Sequence, residues 1–146
     1  MSVNSRFAIS IHVLTLLALH ETEFLTSLDI SESVNTNPVF IRRILGLLRN
    51  AGLVTTQLGT EGGSCLAQPP AEITLLAIYR ATVPNPLFTL PHRRPNPFCL
   101  CGSRIESILQ REFDQAETAL EAALNQTTLA HLADEIKTRP REVYQA

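Results

Sequence analysis

Two adjacent arginines, Arg42 and Arg43, follow an Asn37-Pro38 pair by a few residues. A guanidinium takes guanine O6 and N7 with two bonds, or clamps a phosphate, so the pair is a candidate for gripping nucleic acid. Asn37, Val39 and Phe40 stand beside it, Thr36 adds a short polar group, and Arg6 and Arg49 could reach a phosphate backbone. Gln57 and Thr60 complete the candidate DNA-contacting set. Bulk charge gives no help, since 12 Lys+Arg stand against 14 Asp+Glu for a net charge of −2. Any grip on DNA must come from a local patch. By spacing alone, Arg42 and Arg43 read equally well as the solvated side of an amphipathic helix, and the elements around them must decide.

Thiols are the second chemistry. Cys65, Cys99 and Cys101 are an odd and sparse set, unlike a secreted disulfide framework, and point to a reducing cytoplasm. Cys99 and Cys101 are too few to hold a tetrahedral metal. His92 could add a third ligand and a partner subunit a fourth, but the reading without metal is favoured. Cys99 then packs at the start of a long helix, Cys101 sits on its first turn, and Cys65 lies in the core. If exposed, a thiol near a helix N-terminus has its thiolate stabilised and suits a regulatory, redox-sensing role. A direct Cys99–Cys101 disulfide closes a strained small ring, so an intersubunit bridge or a cap by a small thiol is the expected oxidised form. Were both cysteines inert, an effector would be sought between the first helix, with His12, and the connector that follows the fourth. His12 and His20 lie eight residues apart on one face of that first helix and are read as packed or hydrogen-bonded side chains. No catalytic array can be assembled: there is no Ser/His/Asp or Cys/His set, no paired-carboxylate cleft, and Gly62-Gly63 reads as a hairpin turn, so no enzyme activity is expected.

The elements that would carry these groups are legible. With 146 residues, 45% hydrophobic, six Phe and no Trp, the chain can bury one mostly aliphatic core. Residues 4–20 are apolar on nearly every face of a helix, too short to span a bilayer and lacking a basic lead, so no membrane segment is expected. Thr26 or Ser27 caps a short helix through Ser33, Asn35-Thr36 turns, and Asn37-Pro38 starts a helix that closes at Ala51-Gly52. Leu53–Gln57 and Cys65–Ala67 form a hairpin around Gly59–Gly63. A fourth helix runs from Glu72 or Thr74 to Ala81. This order describes a winged helix-turn-helix, mostly α with a small β-hairpin wing, and places Arg42 and Arg43 directly after the turn. Five of the nine prolines fall in 83–97, which is therefore a connector. Beyond it Ile105, Ile108, Leu109, Phe113, Leu120 and Leu124 recur at helical spacing, an apolar stripe too wide for an isolated exposed helix. A last helix runs from Thr127 or Thr128 to Thr138. Three regions result: a DNA-binding unit at 1–82, the connector at 83–97 and a helical region at 98–146.

Asn-Ser-Arg-Phe-Ala (4–8), Asn-Pro-Val-Phe-Ile-Arg-Arg-Ile-Leu (37–45), Ala-Gly-Leu-Val (51–54), Glu-Gly-Gly-Ser-Cys-Leu-Ala (61–67), Glu-Ile-Thr-Leu (72–75) and Asn-Pro-Phe-Cys (96–99) follow one another along nearly the whole chain. In that order they resemble the bacterial Rrf2 regulators, and the first helix most resembles the YwnA-like branch. The resemblance implies a homodimeric repressor that binds a palindromic DNA operator, with the long C-terminal helix as its dimerisation helix and Ile105, Ile108, Leu109, Phe113, Leu120 and Leu124 at the interface. This sequence departs from the pattern in places. Leu58 stands where family wings carry a basic residue for the minor groove, Glu61 adds a negative charge, and Ser64 replaces an aromatic. Of the three cysteines that hold an iron–sulfur cluster in some members, Cys99 matches only the last, so no cofactor is expected, and a cluster with mixed ligands, which the resemblance allows, stays open as the alternative. Two other classes stay open: a small redox or metal-binding protein working through Cys99, Cys101 and His92, and a winged-helix protein adaptor.

Overall fold

A computed structural model describes residues 2–84 and 86–143. The elements are α1 (Val3–Leu19), α2 (Ser27–Val34), α3 (Pro38–Asn50), β1 (Val54–Gln57), β2 (Gly63–Leu66), a 3-10 turn at Pro70–Glu72, α4 (Leu75–Thr82), α5 (Ile105–Leu124) and α6 (Leu129–Thr138).

α1 is the hub, packed against α2, α3, α4 and α6. That is why apolar side chains occupy so many of its faces: Val13, Leu14, Leu17 and Ala18 are buried. Its two buried hydroxyls are satisfied within the helix, Ser10 Oγ donating to the Arg6 carbonyl at 2.8 Å and Thr15 Oγ1 to that of Ile11 at 2.7 Å. A capping box starts α2, the Thr26 side chain accepting from Asp29 N–H and the Asp29 carboxylate from Thr26 N–H. The Thr26 hydroxyl, donating to the Asp29 carboxylate at 2.6 Å, and then the Thr26 N–H hold the Asp29 carboxyl below its usual value. Asn35 ends α2 in the left-handed region at φ 59°, and Asn37 Oδ1 accepts from Val39 N–H at 2.8 Å to start α3. Ile30, Ile41, Ile44, Leu48, Val54, Ile73, Ile78 and Leu129 are fully or almost fully buried around α1. Each such side chain contributes about 1.5–3 kcal/mol relative to exposure.

The wing is antiparallel, with Val54 opposite Leu66 and Gln57 opposite Gly63. Its second strand starts at Gly63, two residues before the expected Cys65, because Leu25 supplies an additional partner. Leu25 N–H donates to Ser64 O at 3.0 Å, and Ser64 N–H to Leu25 O at 2.7 Å. The Leu25 backbone approaches so closely that a Cβ at Gly63, φ 155°, would collide with it.

The region 98–146 is divided in space. α6 returns to the N-terminal unit: Leu75 N–H donates to Thr127 O and Leu129 N–H to Ile73 O, each at 2.9 Å, and Leu129 enters the main core. α5 has no buried residue in this single chain. Its C-terminal half leans on its own α4, Leu120 and Leu124 covering Leu76, Tyr79 and Val83, with Arg80 and Glu121 paired at 3.0 Å. Phe113 stacks on Phe88 of the connector at 5.2 Å, and Phe88 N–H donates to Glu117 Oε1. Towards the N-terminal end, Ile105 and Leu109 are half-buried and Ile108 is 43% exposed.

Candidate nucleic-acid interface

Helix α3 turns Ile41, Ile44, Leu45 and Leu48 inward and leaves Val39, Arg42, Arg43 and Arg49 outward. One residue is about 100° of helix, so the adjacent arginines serve different grooves. Arg42 and Arg49 line a groove against the wing, with Thr56, Gln57 and Gly59 on its far wall and Thr26 and Ser27 at its end. Arg49 Nη1 donates to Thr56 Oγ1 at 3.3 Å and ties the helix to the hairpin. Arg43 lines the opposite groove with Arg6 and Asn50. The structure thus brings Arg6, Val39, Arg42, Arg43, Arg49 and Gln57 around the outer side of α3, with Asn37 exposed at its start and Thr60 on the exposed wing tip. Phe40 is half-buried, packing against the core while also lining the groove it shares with Arg6 and Arg43. Thr26 and Ser27 were not expected there, and their signal was the capping box. Leu58 is 91% exposed beside exposed Glu61, an apolar and acidic wing tip.

The thiols sit differently from the sequence reading. α5 begins at Ile105, so Cys99 and Cys101 belong to the turn ahead of it, and both are exposed instead of packed. Cys99 N–H donates to Asn96 O at 3.3 Å and Ser103 N–H to Cys99 O at 2.9 Å, a tight turn in which a Cβ at Gly102 would strike the Asn96 carbonyl. Backbone N–H groups of Gly102, then Cys101, hold the Cys99 thiol below its usual value. The thiolate is therefore favoured by turn amides and not by the α5 N-terminus. Phe98 and Leu100, 96% and 69% exposed, flank it. Cys65 is half-buried, 3.2 Å from Thr55 Oγ1 on the wing, and outside the core. Among the described residues, no three His, Cys, Asp or Glu converge within one chain.

Only His12 lies within α1, His20 being its C-cap, and the two have separate local partners, His12 Nε2 lying 3.0 Å from Ser33 Oγ and His20 Nδ1 3.6 Å from Glu23. His12 lines a groove shared with α2 and α6; the connector takes no part in it, contrary to expectation, because α6 occupies that side of α1.

The model of the Rrf2 family, described as an iron-dependent transcriptional regulator, matches residues 3–135. The chain belongs to the Rrf2 family. The proposed HTH-type transcriptional regulator YwnA of Bacillus subtilis (strain 168) is 39% identical over 127 residues, covering 87% of this chain and 93% of YwnA. A crystal structure of a proposed DNA-binding protein is 34% identical with a TM-score of 0.70, covering 87% of this chain and 97% of that one. A proposed transcriptional regulator from Lactobacillus plantarum superposes with a TM-score of 0.76 at 26% identity, over 91% of this chain and 90% of that one. This Rrf2 chain is thus a winged-helix transcriptional regulator. Among the described residues, no helix is long and apolar enough to cross a membrane.

Proposed function

We propose that this Rrf2 protein is a cytoplasmic repressor that binds an inverted-repeat operator as a homodimer, without catalysis and without a bound cluster. The observation that carries this reading is the outer side of α3, where Val39, Arg42 and Arg43 are exposed and flanked by two grooves. α3 enters the major groove, Arg42 and Arg49 face the strand beside the wing, and Arg43 with Arg6 faces the other. The wing, with Leu58 at its tip, contributes the Gln57 and Thr60 polar groups and little charge. Purified protein mixed with sheared genomic DNA should enrich a few fragments sharing one inverted repeat. Fragments without a common sequence would overturn the operator reading.

The exposed Cys99 in its amide-lined turn favours an oxidant as the signal. The thiolate attacks a peroxide, forming an S–O bond as the O–O bond breaks and hydroxide leaves. A second thiol, from a small molecule or the partner subunit, then displaces water to form a disulfide. Because the Cys99 thiol lies below its usual value, its alkylation rate should reach half its maximum at a lower pH than that of an ordinary thiol. Mass spectrometry of timed iodoacetamide labelling between pH 5 and 10 checks this. Mild peroxide should lower operator affinity reversibly in the wild type and leave Cys99→Ser unresponsive. A Cys99→Ser variant that still responds would move the sensor elsewhere.

A further inference from the structure

A third groove, of about 530 Å³, opens between α1, α2 and α6, and shares no residue with the two that flank α3. Ile11 and Leu16 of α1 face Leu132 and Ile136 of α6 across it, and Ile136 stands 53% exposed in its wall. That size accommodates a ring. The polar groups are few. His12 Nε2 and Ser33 Oγ meet at 3.0 Å, and Glu135 and Arg139 pair at 3.7 Å. Burial pushes the His12 pKa down, which leaves a neutral imidazole with one donor and one acceptor nitrogen. Glu135 offsets the charge of Arg139, so an anion finds no net positive partner. The complementary ligand is therefore apolar, uncharged and equipped with one hydroxyl.

We propose that this groove binds small phenol-class molecules, the ring held among Ile11, Leu16, Leu132 and Ile136 and the hydroxyl on the His12–Ser33 pair. Ser33 lies in the last turn of α2, two residues before the left-handed Asn35 that sets the angle between α2 and α3. A ligand that takes over the Ser33 hydrogen bond thus acts on the turn that presents Arg42 and Arg43, and operator affinity changes if binding alters the angle that turn sets. This second step rests on the reading of α3 as the DNA-contacting helix.

The full chain, labelled at Ile and Leu methyls, is titrated with phenol and separately with benzoate. Phenol should shift the Ile11 and Ile136 methyls and the His12 ring saturably, with Kd on the order of 1 mM, as expected for so few atoms. Benzoate at the same concentrations should not. Ser33→Ala should weaken binding by about 3- to 10-fold, the effect of one hydrogen bond, and Ala8→Trp, at an exposed groove position, should abolish it. Absence of saturable shifts, equal shifts with benzoate, or unchanged binding in Ala8→Trp would overturn the site. Phenol should also change operator affinity in the wild type and not in Ala8→Trp. Groove shifts with unchanged operator affinity would overturn only the coupling. A protein that binds no operator at all would overturn the DNA reading, while the methyl shifts still decide the site.

Discussion

Replacing both Arg42 and Arg43 by alanine is expected to lower affinity for one half-site by roughly 30- to 20,000-fold, and for the whole operator by more, because each two-bond guanine contact contributes about 1–3 kcal/mol. The single variants should behave differently. Arg42 shares its groove with Arg49 and the wing, Arg43 with Arg6, so each reads a different strand neighbourhood. Removing an arginine that sits on a guanine relaxes specificity at one base position in each half-site. Removing one that sits on a phosphate weakens all sequences alike and reduces the salt slope by about one unit per phosphate freed. Fluorescence anisotropy with operator and single-base variants, at several salt concentrations, separates the two. Both side chains are exposed and stand outside the buried face of α3, so the melting temperature should hardly move. A double variant that binds as tightly as the parent would remove α3 from the interface.

Local chemistry made the reading half of the molecule legible in the sequence. Thr26 with Asp29, Asn35, and Asn37-Pro38 are short-range signals that fix helix ends without knowledge of the rest, and the prolines of 83–97 exclude helix wherever they fall. The misplacements follow from interactions that no local pattern carries. Leu25 pairs with Ser64 across 39 positions, which lengthens the wing strand towards Gly63. α6 docks through backbone bonds between residues 73–75 and 127–129, so a helix read as part of a separate region completes the core. Extending the helical period backwards puts Cys101 on the first turn of α5. Gly102 and the absence of a side-chain cap at Arg104 are the contrary signals. The place of Phe40 is within reach of the pattern: Ile41, Ile44, Leu45 and Leu48 fix the buried face, and Phe40 falls on its border while Val39 falls outside.

The single chain also decides which residue tests the dimer. Leu120 and Leu124 already cover Leu76, Tyr79 and Val83, so a charge at Leu120 would loosen α5 from its own α4 and confuse folding with association. Ile108, by contrast, is 43% exposed, on the half of α5 that α4 does not cover. A repeated apolar side chain left open on a 20-residue helix suits an isologous seam with a second copy. Ile108→Glu would then place two like charges in that seam, each costing several kcal/mol if it stays unpaired. The expected result is a shift from dimer to monomer at micromolar concentration in analytical ultracentrifugation, with circular dichroism unchanged. Operator affinity should fall by more than 100-fold, because two half-sites held by one dimer act at an effective concentration that separate monomers lack, whereas binding to a single half-site should change little. Were Ile108→Glu to remain a dimer with full operator affinity, the seam would lie off α5, and the open apolar side chains of the 96–104 turn, Phe98 and Leu100, would be the next surface to charge.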